Sequence, residues 1–195
     1  MKHSLLDLVS NAISRIHDTL FPVVTCLSWK KIGKRVRISH IRIKGSKFIE
    51  IGDETIINDK VWLAASPTGT ECRLSIGNKV RIGRFSEIYA LKDIVLEDGV
   101  VAAENVYISD NSHSFDDVNA FIRDQEVRYT GPVRIGQGSW IGRNACIMSC
   151  KIGRNCIIGA FSLVKNDVPD YSMVAGVPAR IIKKYNFETK KWERV

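Results

Sequence analysis

Histidine is scarce in this chain, and its four copies fall at unlike places: His3, His17, His40 and His113. Only His113 stands in a polar, chemically suggestive setting, Ile108-Ser109-Asp110-Asn111-Ser112-His113-Ser114-Phe115-Asp116-Asp117. An imidazole near its ordinary pKa of about 6.5 is mostly neutral at pH 7 and can still accept a proton. That suits it to deprotonate a hydroxyl, a poor nucleophile at neutral pH, as its oxygen attacks a carbonyl. A carboxylate or carbonyl should hold the other ring nitrogen, and Asp110 and Glu104 are the candidates in sequence. Asp110, Asn105 and Glu87 are the polar candidates for the acceptor side. The bland reading of His113 is a polar loop residue that starts a turn.

The five cysteines, Cys26, Cys72, Cys146, Cys150 and Cys156, are odd in number and lack paired spacing. Without an export signal they read as free thiols in a reducing cytosol. Three lie close together, but no Cys-x-x-Cys pair or neighbouring His completes a ligand set, so no metal is expected.

The elements that would position His113 follow from a repeat. An aliphatic residue, often followed by Gly, leads to a small or branched residue four places on: Ile51-Gly52 to Thr55, Ile57-Asn58 to Val61, Ile76-Gly77 to Val80, Ile82-Gly83 to Ser86. Leu96, Ala102 and Ile108 continue it to Val100, Val106 and Ser112. After a break come Ile135-Gly136 to Ser139, Ile141-Gly142 to Ala145, Ile152-Gly153 to Cys156, Ile158-Gly159 to Ser162, and Val164 to Val168. A six-residue step fits neither a 3.6-residue helix nor a hairpin ladder of period two. It fits short strands around a triangular coil, three to a turn, with the aliphatic residue inside. Gly follows because the corner needs positive φ or a close backbone approach. Each coil then pairs in parallel with the next, about 4.8 Å away.

The repeat breaks in informative places. Residues 3–21 carry apolar positions at helical spacing up to Pro22, which predicts an amphipathic helix packed on the first coils. Its rival role is a membrane-surface anchor, helped by Trp29-Lys30-Lys31 and Lys34-Arg35. Ser66 to Arg73 reads as a small corner loop. Residues from about 114 to 131 lose the register between two good coils, and a loop of that length is usually functional. The step from Ile147 to Ile152 is one residue short and contains Cys150. After Pro178, the run Ala179-Arg180-Ile181-Ile182-Lys183-Lys184-Tyr185 predicts a short helix capping the last coil. The domains are therefore 1–30, an N-terminal helical segment; 31–180, the coils; and 181–195, a C-terminal helix and tail.

With 195 residues, 45% of them hydrophobic and 26% charged, the chain reads as one soluble globular domain with an appendage. No apolar run approaches the roughly 18 residues of a membrane span, and no secretory signal is legible, so a cytoplasmic setting is expected. The net charge of +8 suits an anionic partner such as a polyphosphate or an inner membrane surface, or plain solubility. No nucleic-acid-binding motif is present.

Between Ile32 and Ile182 the chain resembles the hexapeptide-repeat transferase family, nearest in motif to its sugar and polysaccharide O-acetyltransferases. The resemblance implies an all-β fold, a left-handed parallel β-helix, against the usual right-handed crossover rule. It implies an acetyl-coenzyme A-dependent O-acetyltransferase acting on a sugar hydroxyl, such as that of a cell-surface saccharide, by direct transfer. His113 matches the family's catalytic histidine, while Asn111 stands where the polysaccharide branch often has a second one. Acetyl-CoA would meet Trp140, Arg143, Ala160, Ser162, Lys165, Arg180 and Lys183. Gly159-Ala160-Phe161-Ser162 matches a Gly-Ala-Gly-Ser segment with Phe161 in place of glycine; Gly176-Val177-Pro178-Ala179-Arg180 matches the terminal motif; Lys165 is shifted one place from the common pattern. The resemblance also implies a homotrimer with sites between subunits. An N-acetyltransferase on an amino sugar or nucleotide sugar, an antibiotic acetyltransferase and a purely structural scaffold are the alternatives. A carbonic anhydrase of the same fold needs three His ligands, and only His40 and His113 fall in the coils.

Overall fold

The computed structural model describes residues 29–67 and 71–195. The expected N-terminal helix, with its alternative role as a membrane anchor, lies outside the described residues, as do His3, His17 and Cys26.

Six coils stack in sequence. Strands β1 (Lys31–Ile32), β2 (Arg37–Ile38) and β3 (Arg42–Lys44) make the first, and β4 (Ile49–Ile51), β5 (Ile56–Ile57) and β6 (Trp62–Ala65) the second. The third is β7 (Arg73–Ile76), β8 (Arg81–Ile82) and β9 (Glu87–Ala90); the fourth is β10 (Asp93–Leu96), β11 (Val101–Ala102) and β12 (Tyr107–Ser109). A hairpin of β13 (Asn111–His113) and β14 (Val127–Tyr129) then leaves the stack. The fifth coil follows as β15 (Val133–Ile135), β16 (Trp140–Ile141) and β17 (Cys146–Met148), and the sixth as β18 (Lys151–Ile152), β19 (Ile157–Ile158) and β20 (Leu163–Val164). The chain closes with β21 (Ser172–Gly176), β22 (Ala179–Asn186) and β23 (Lys191–Arg194).

Like sides of successive coils pair in parallel, which makes three sheets. The first runs β1-β4-β7-β10-β15-β18, the second β2-β5-β8-β11-β16-β19 and on through β21-β22-β23, the third β3-β6-β9-β12-β17-β20. The repeat's aliphatic residues fill the interior in columns. Ile43, Leu63, Ile88, Ile108, Ile147 and Val164 are the inward column of the third sheet, and all but the partly buried Ile43 belong to the buried core.

The small residues of the repeat do more than fit. Thr55 Oγ1 donates to the Gly77 carbonyl at 2.8 Å and accepts from the Val80 N–H at 3.1 Å. Ser86 and Ser139 do the same for the next coil. A hydroxyl inside the prism is thereby satisfied, as a buried polar group must be.

The two reasons offered for glycine separate in the structure. A Cβ on Gly83 would lie 2.4 Å from the Ala103 carbonyl carbon, and one on Gly142 2.6 Å from the Ala160 nitrogen. Close approach of the next coil therefore excludes a side chain. Positive φ falls two residues later and is mostly carried by other types: Lys60, Phe85, Asn105, Asn144 and Phe161 stack along the corner between the second and third sheets. The N–H of Phe85, Asn105, Asn144 and Phe161 each donates to a carbonyl of the coil before.

Two expectations are corrected. The expected C-terminal helix is a strand: β22 pairs antiparallel with β21 and β23, and its burial alternates with period two. Ile181 and Ala179 pack against the core from one face, and the tight turn at Gly176-Val177-Pro178 folds the chain back on itself. That alternation is what a half-buried strand requires, and it outweighs the helix-forming lysines. Second, the step from Ile108 to Ser112 is not completed: β12 ends at Ser109, and Ser112 lies in β13. The excursion near 114–131 stands where the broken register puts it, and residues 68–70 of the expected corner loop lie outside the described residues. The short step at Ile147 is closed by Ser149 at φ 47 with Cys150 turned inside.

Candidate active site

His113 ends β13, directly after the chain leaves the fourth coil, and Val127 of β14 lies opposite it. Three contacts anchor this hairpin. The Thr130 N–H donates to the Asp110 carbonyl, the Thr130 and Ser149 hydroxyls bond to each other, and Arg128 pairs with Asp116 at 2.7 Å. The loop tip is braced by the Gln125 amide, which donates to the Asp117 and Ala120 carbonyls.

The hairpin forms one wall of a groove of about 590 Å³ whose floor is the outer face of the third sheet. Arg42, Lys44, Trp62, Glu87, Tyr89, Tyr107 and Met148 come from that sheet, and Asn111, Ser112, His113 and Val127 from the hairpin. Outward residues are in register: Arg42, Trp62, Glu87, Tyr107 and Cys146 form one column. The His113 ring is exposed at this groove, and among the described residues nothing hydrogen-bonds to either of its nitrogens. Glu87 lies in the same groove.

Asp110 turns the other way. It is wholly buried, and its carboxylate accepts from the N–H groups of Leu91, Lys92 and Asp93 at 2.7–2.8 Å and from the Asn111 amide at 2.9 Å. It therefore neither faces the groove nor orients His113 in this protomer; it ties the turn between β9 and β10 to the start of the hairpin. Asn105 sits at the corner between the second and third sheets, at φ 55, outside the groove. Glu104 is exposed on the same corner.

The expected coenzyme residues do not gather around His113 within one protomer. Trp140 is 51% exposed on the second sheet, in an outward column with Val101, Ile157, Met173 and Lys183. Arg143 and Ala160 lie exposed at the corner between the second and third sheets, Arg180 in β22, and Lys165 just beyond β20. Among the described residues Arg143, Lys165, Arg180 and Lys183 have no acidic partner, so their charge is available to a polyphosphate. Ser162 differs: it is buried and its hydroxyl accepts from the Gly176 N–H at 3.2 Å, which leaves it a packing role.

The thiols are poorly placed for nucleophilic work. Burial pushes Cys150 up to about 12, and burial with the nearby Asp110 and Asp93 pushes Cys72 up to about 11. Burial also raises Cys146 and Cys156. A thiol held neutral at pH 7 is a weak nucleophile. No metal-holding cluster of His, Cys, Asp or Glu occurs among the described residues, and no helix there is long and apolar enough to cross a membrane.

Residues 132–166 match the family model of bacterial transferase hexapeptide repeats. The chain is 38% identical over 136 residues to a probable acetyltransferase of Mycobacterium tuberculosis, covering 69% of this chain and 44% of that protein. It is 34% identical over 125 residues to the galactoside O-acetyltransferase of Escherichia coli, covering 60% of each. The chain thus spans about half the length of these curated relatives. In three dimensions it is similar to AntD, an N-acyltransferase from Bacillus cereus solved with dTDP and 3-hydroxybutyryl-CoA. The TM-score is 0.72 at 22% identity, over 87% of this chain and 90% of that one, a likeness that shows the fold, the left-handed parallel β-helix.

Proposed function

Since the chain belongs to the hexapeptide-repeat transferase family, we propose that it is an acetyl-CoA-dependent O-acetyltransferase acting on a saccharide hydroxyl, with His113 as general base. One observation carries the reading: an imidazole with both nitrogens free stands at the mouth of a groove lined by Trp, Tyr, Glu and Arg. Aromatic faces and hydrogen-bonding side chains of this kind suit a sugar better than an apolar acceptor.

Bound acetyl-CoA would supply the acetyl group as an activated thioester. Arg143, Lys165, Arg180 and Lys183 would hold its phosphates, and Trp140 with the exposed main chain at Ala160 its arm. His113 takes the proton of the acceptor hydroxyl as the oxygen adds to the acyl carbon, and returns it to the departing sulfur. No acyl-enzyme is needed, in keeping with the neutral thiols. Because His113 belongs to the third sheet's groove and Trp140 to the second sheet, a second copy must bring its coenzyme residues to this groove. A trimer with sites between subunits meets that need.

The test is thiol release from acetyl-CoA over a panel of sugars, beside His113→Ala. Acceptor-dependent release that drops at least about a hundredfold in the variant, with the melting temperature unchanged, is the expected result. Release that survives the substitution would overturn the assignment, and the absence of both release and CoA binding would overturn the enzyme.

A further inference from the structure

The groove extends well past the reacting end. His113, Ser112 and Met148 lie where the fourth and fifth coils meet, whereas Arg42 and Lys44 belong to β3 of the first coil. Three strand spacings separate β12 from β3, or about 14 Å. A single monosaccharide at His113 would leave that length unused.

The far end has its own chemistry. The Arg42 guanidinium lies over the Trp62 ring, 4.5 Å from its centroid, and Tyr89 meets the same ring at 5.8 Å. Lys44 stands beside them in β3. Neither Arg42 nor Lys44 has an acidic partner among the described residues, whereas Lys30 pairs with Glu50, Arg35 with Glu54, and Arg73 with Asp93. Trp62 Nε1 is the one buried side-chain polar atom among the described residues that lacks a hydrogen-bond partner. A buried donor without an acceptor is costly and calls for one. Arg42 over the same ring and Lys44 in the same groove favour an acceptor that is anionic.

Resting on the transferase reading, we propose that the groove takes an acidic saccharide laid along the third sheet, its reacting hydroxyl at His113 and its carboxylate or phosphate held by Arg42 and Lys44 at the Trp62 ring. Arg42, Lys44 and Trp62 are specificity residues in this arrangement and touch none of the reacting atoms. Glu87, midway along the groove, accepts from sugar hydroxyls and repels an acidic group from the wrong end.

The experiment measures binding apart from turnover. Trigalacturonate, UDP-N-acetylglucosamine and neutral maltotriose are titrated into the full chain by calorimetry at low and at physiological salt. At least one acidic ligand should bind about tenfold or more tighter than maltotriose, with the advantage shrinking as salt is added. Trigalacturonate as the tighter ligand identifies a carboxylate, and the nucleotide sugar a diphosphate. In Arg42→Gln/Lys44→Gln, both changes at exposed side chains, the acidic ligand should fall to the level of maltotriose; Trp62→Phe, which keeps a ring but loses the N–H, should weaken it several-fold. Equal binding of acidic and neutral ligands, no binding of either acidic ligand, or a preference that survives the double variant overturns the proposal. Acetyl transfer is followed separately on the same ligands. Preference with neither transfer nor CoA binding would sink the enzyme and leave the acidic site standing; transfer without preference would do the reverse.

Discussion

His113 and Asp110 are three residues apart and have opposite fates. The histidine projects into the groove with free nitrogens, while the aspartate is buried under four N–H donors. Removing each should therefore be read in a different assay. His113→Ala should lower transfer at least about a hundredfold without changing stability. Asp110→Ala strips the acceptor from those donors and should cost about 2–4 kcal/mol in urea denaturation, with activity lost only through the displaced hairpin. The thiols give a pH prediction. Cys150 has its pKa raised from 9.0 to about 12 by burial, so its neutral form is favoured in the folded state. The stability it contributes is fully present below pH 9 and is lost as pH rises toward 12, by up to about 1.4 kcal/mol per unit. Cys150→Ala should lower stability at pH 7 and flatten the decline between pH 9 and 12; parallel curves for the two proteins would refute the assignment.

At the scale of elements, the coil is held by close stacking at its corners. Side-chain oxygens run up the first corner: Asp53 accepts from the Lys34 N–H, Asn78 from Asp53, and Asp98 from Asn78, all at 2.7–2.8 Å. Burial of Asp98 is slight, and its hydrogen bonds from Asn78 hold its carboxyl below the usual range. Glycine is needed where the next backbone is nearest. Gly83→Ala places a Cβ against the Ala103 carbonyl and should destabilise by about 2–3 kcal/mol or more. Asn105→Gly, at a left-handed corner, should be neutral or slightly stabilising. Chemical denaturation of the pair separates the two demands that the sequence pattern merges, because a larger effect at Asn105 would mean that φ, not approach, limits the repeat.

For the whole molecule, the decisive feature is that His113, the proposed base, and Trp140, Arg180 and Lys183, expected at the coenzyme, occupy different sheets of one prism. If a neighbouring copy completes the site, two inactive variants can rescue each other. His113→Ala and a Trp140→Ala/Arg180→Gln variant, co-expressed or refolded together, should regain a fraction of wild-type transfer on the order of a quarter, while each alone stays inactive. No rescue in a mixture shown by mass to contain both chains would place the whole site in one protomer. Apolar side chains on the second sheet and its corner, Trp140, Phe85 and Phe161, are 48–68% exposed and offer a surface for such association.

Much of this was legible without coordinates. The six-residue period determined the coil, its inward columns and the places where it must break, because a buried aliphatic every sixth position admits few other arrangements. The same period located the long excursion and set His113 at its mouth. Tertiary structure decided what period alone leaves open. Whether Ala179–Tyr185 pairs as a strand or coils as a helix depended on β21 offering an edge and on a core face for Ile181. The inward turn of Asp110 depended on three N–H groups some eighteen residues earlier in the chain, which no local pattern announces. Arg42, Lys44 and Trp62 went unremarked in sequence for a related reason. They lie in the first two coils, 51–71 residues before His113, and only the stacking of coils brings them into one groove with it.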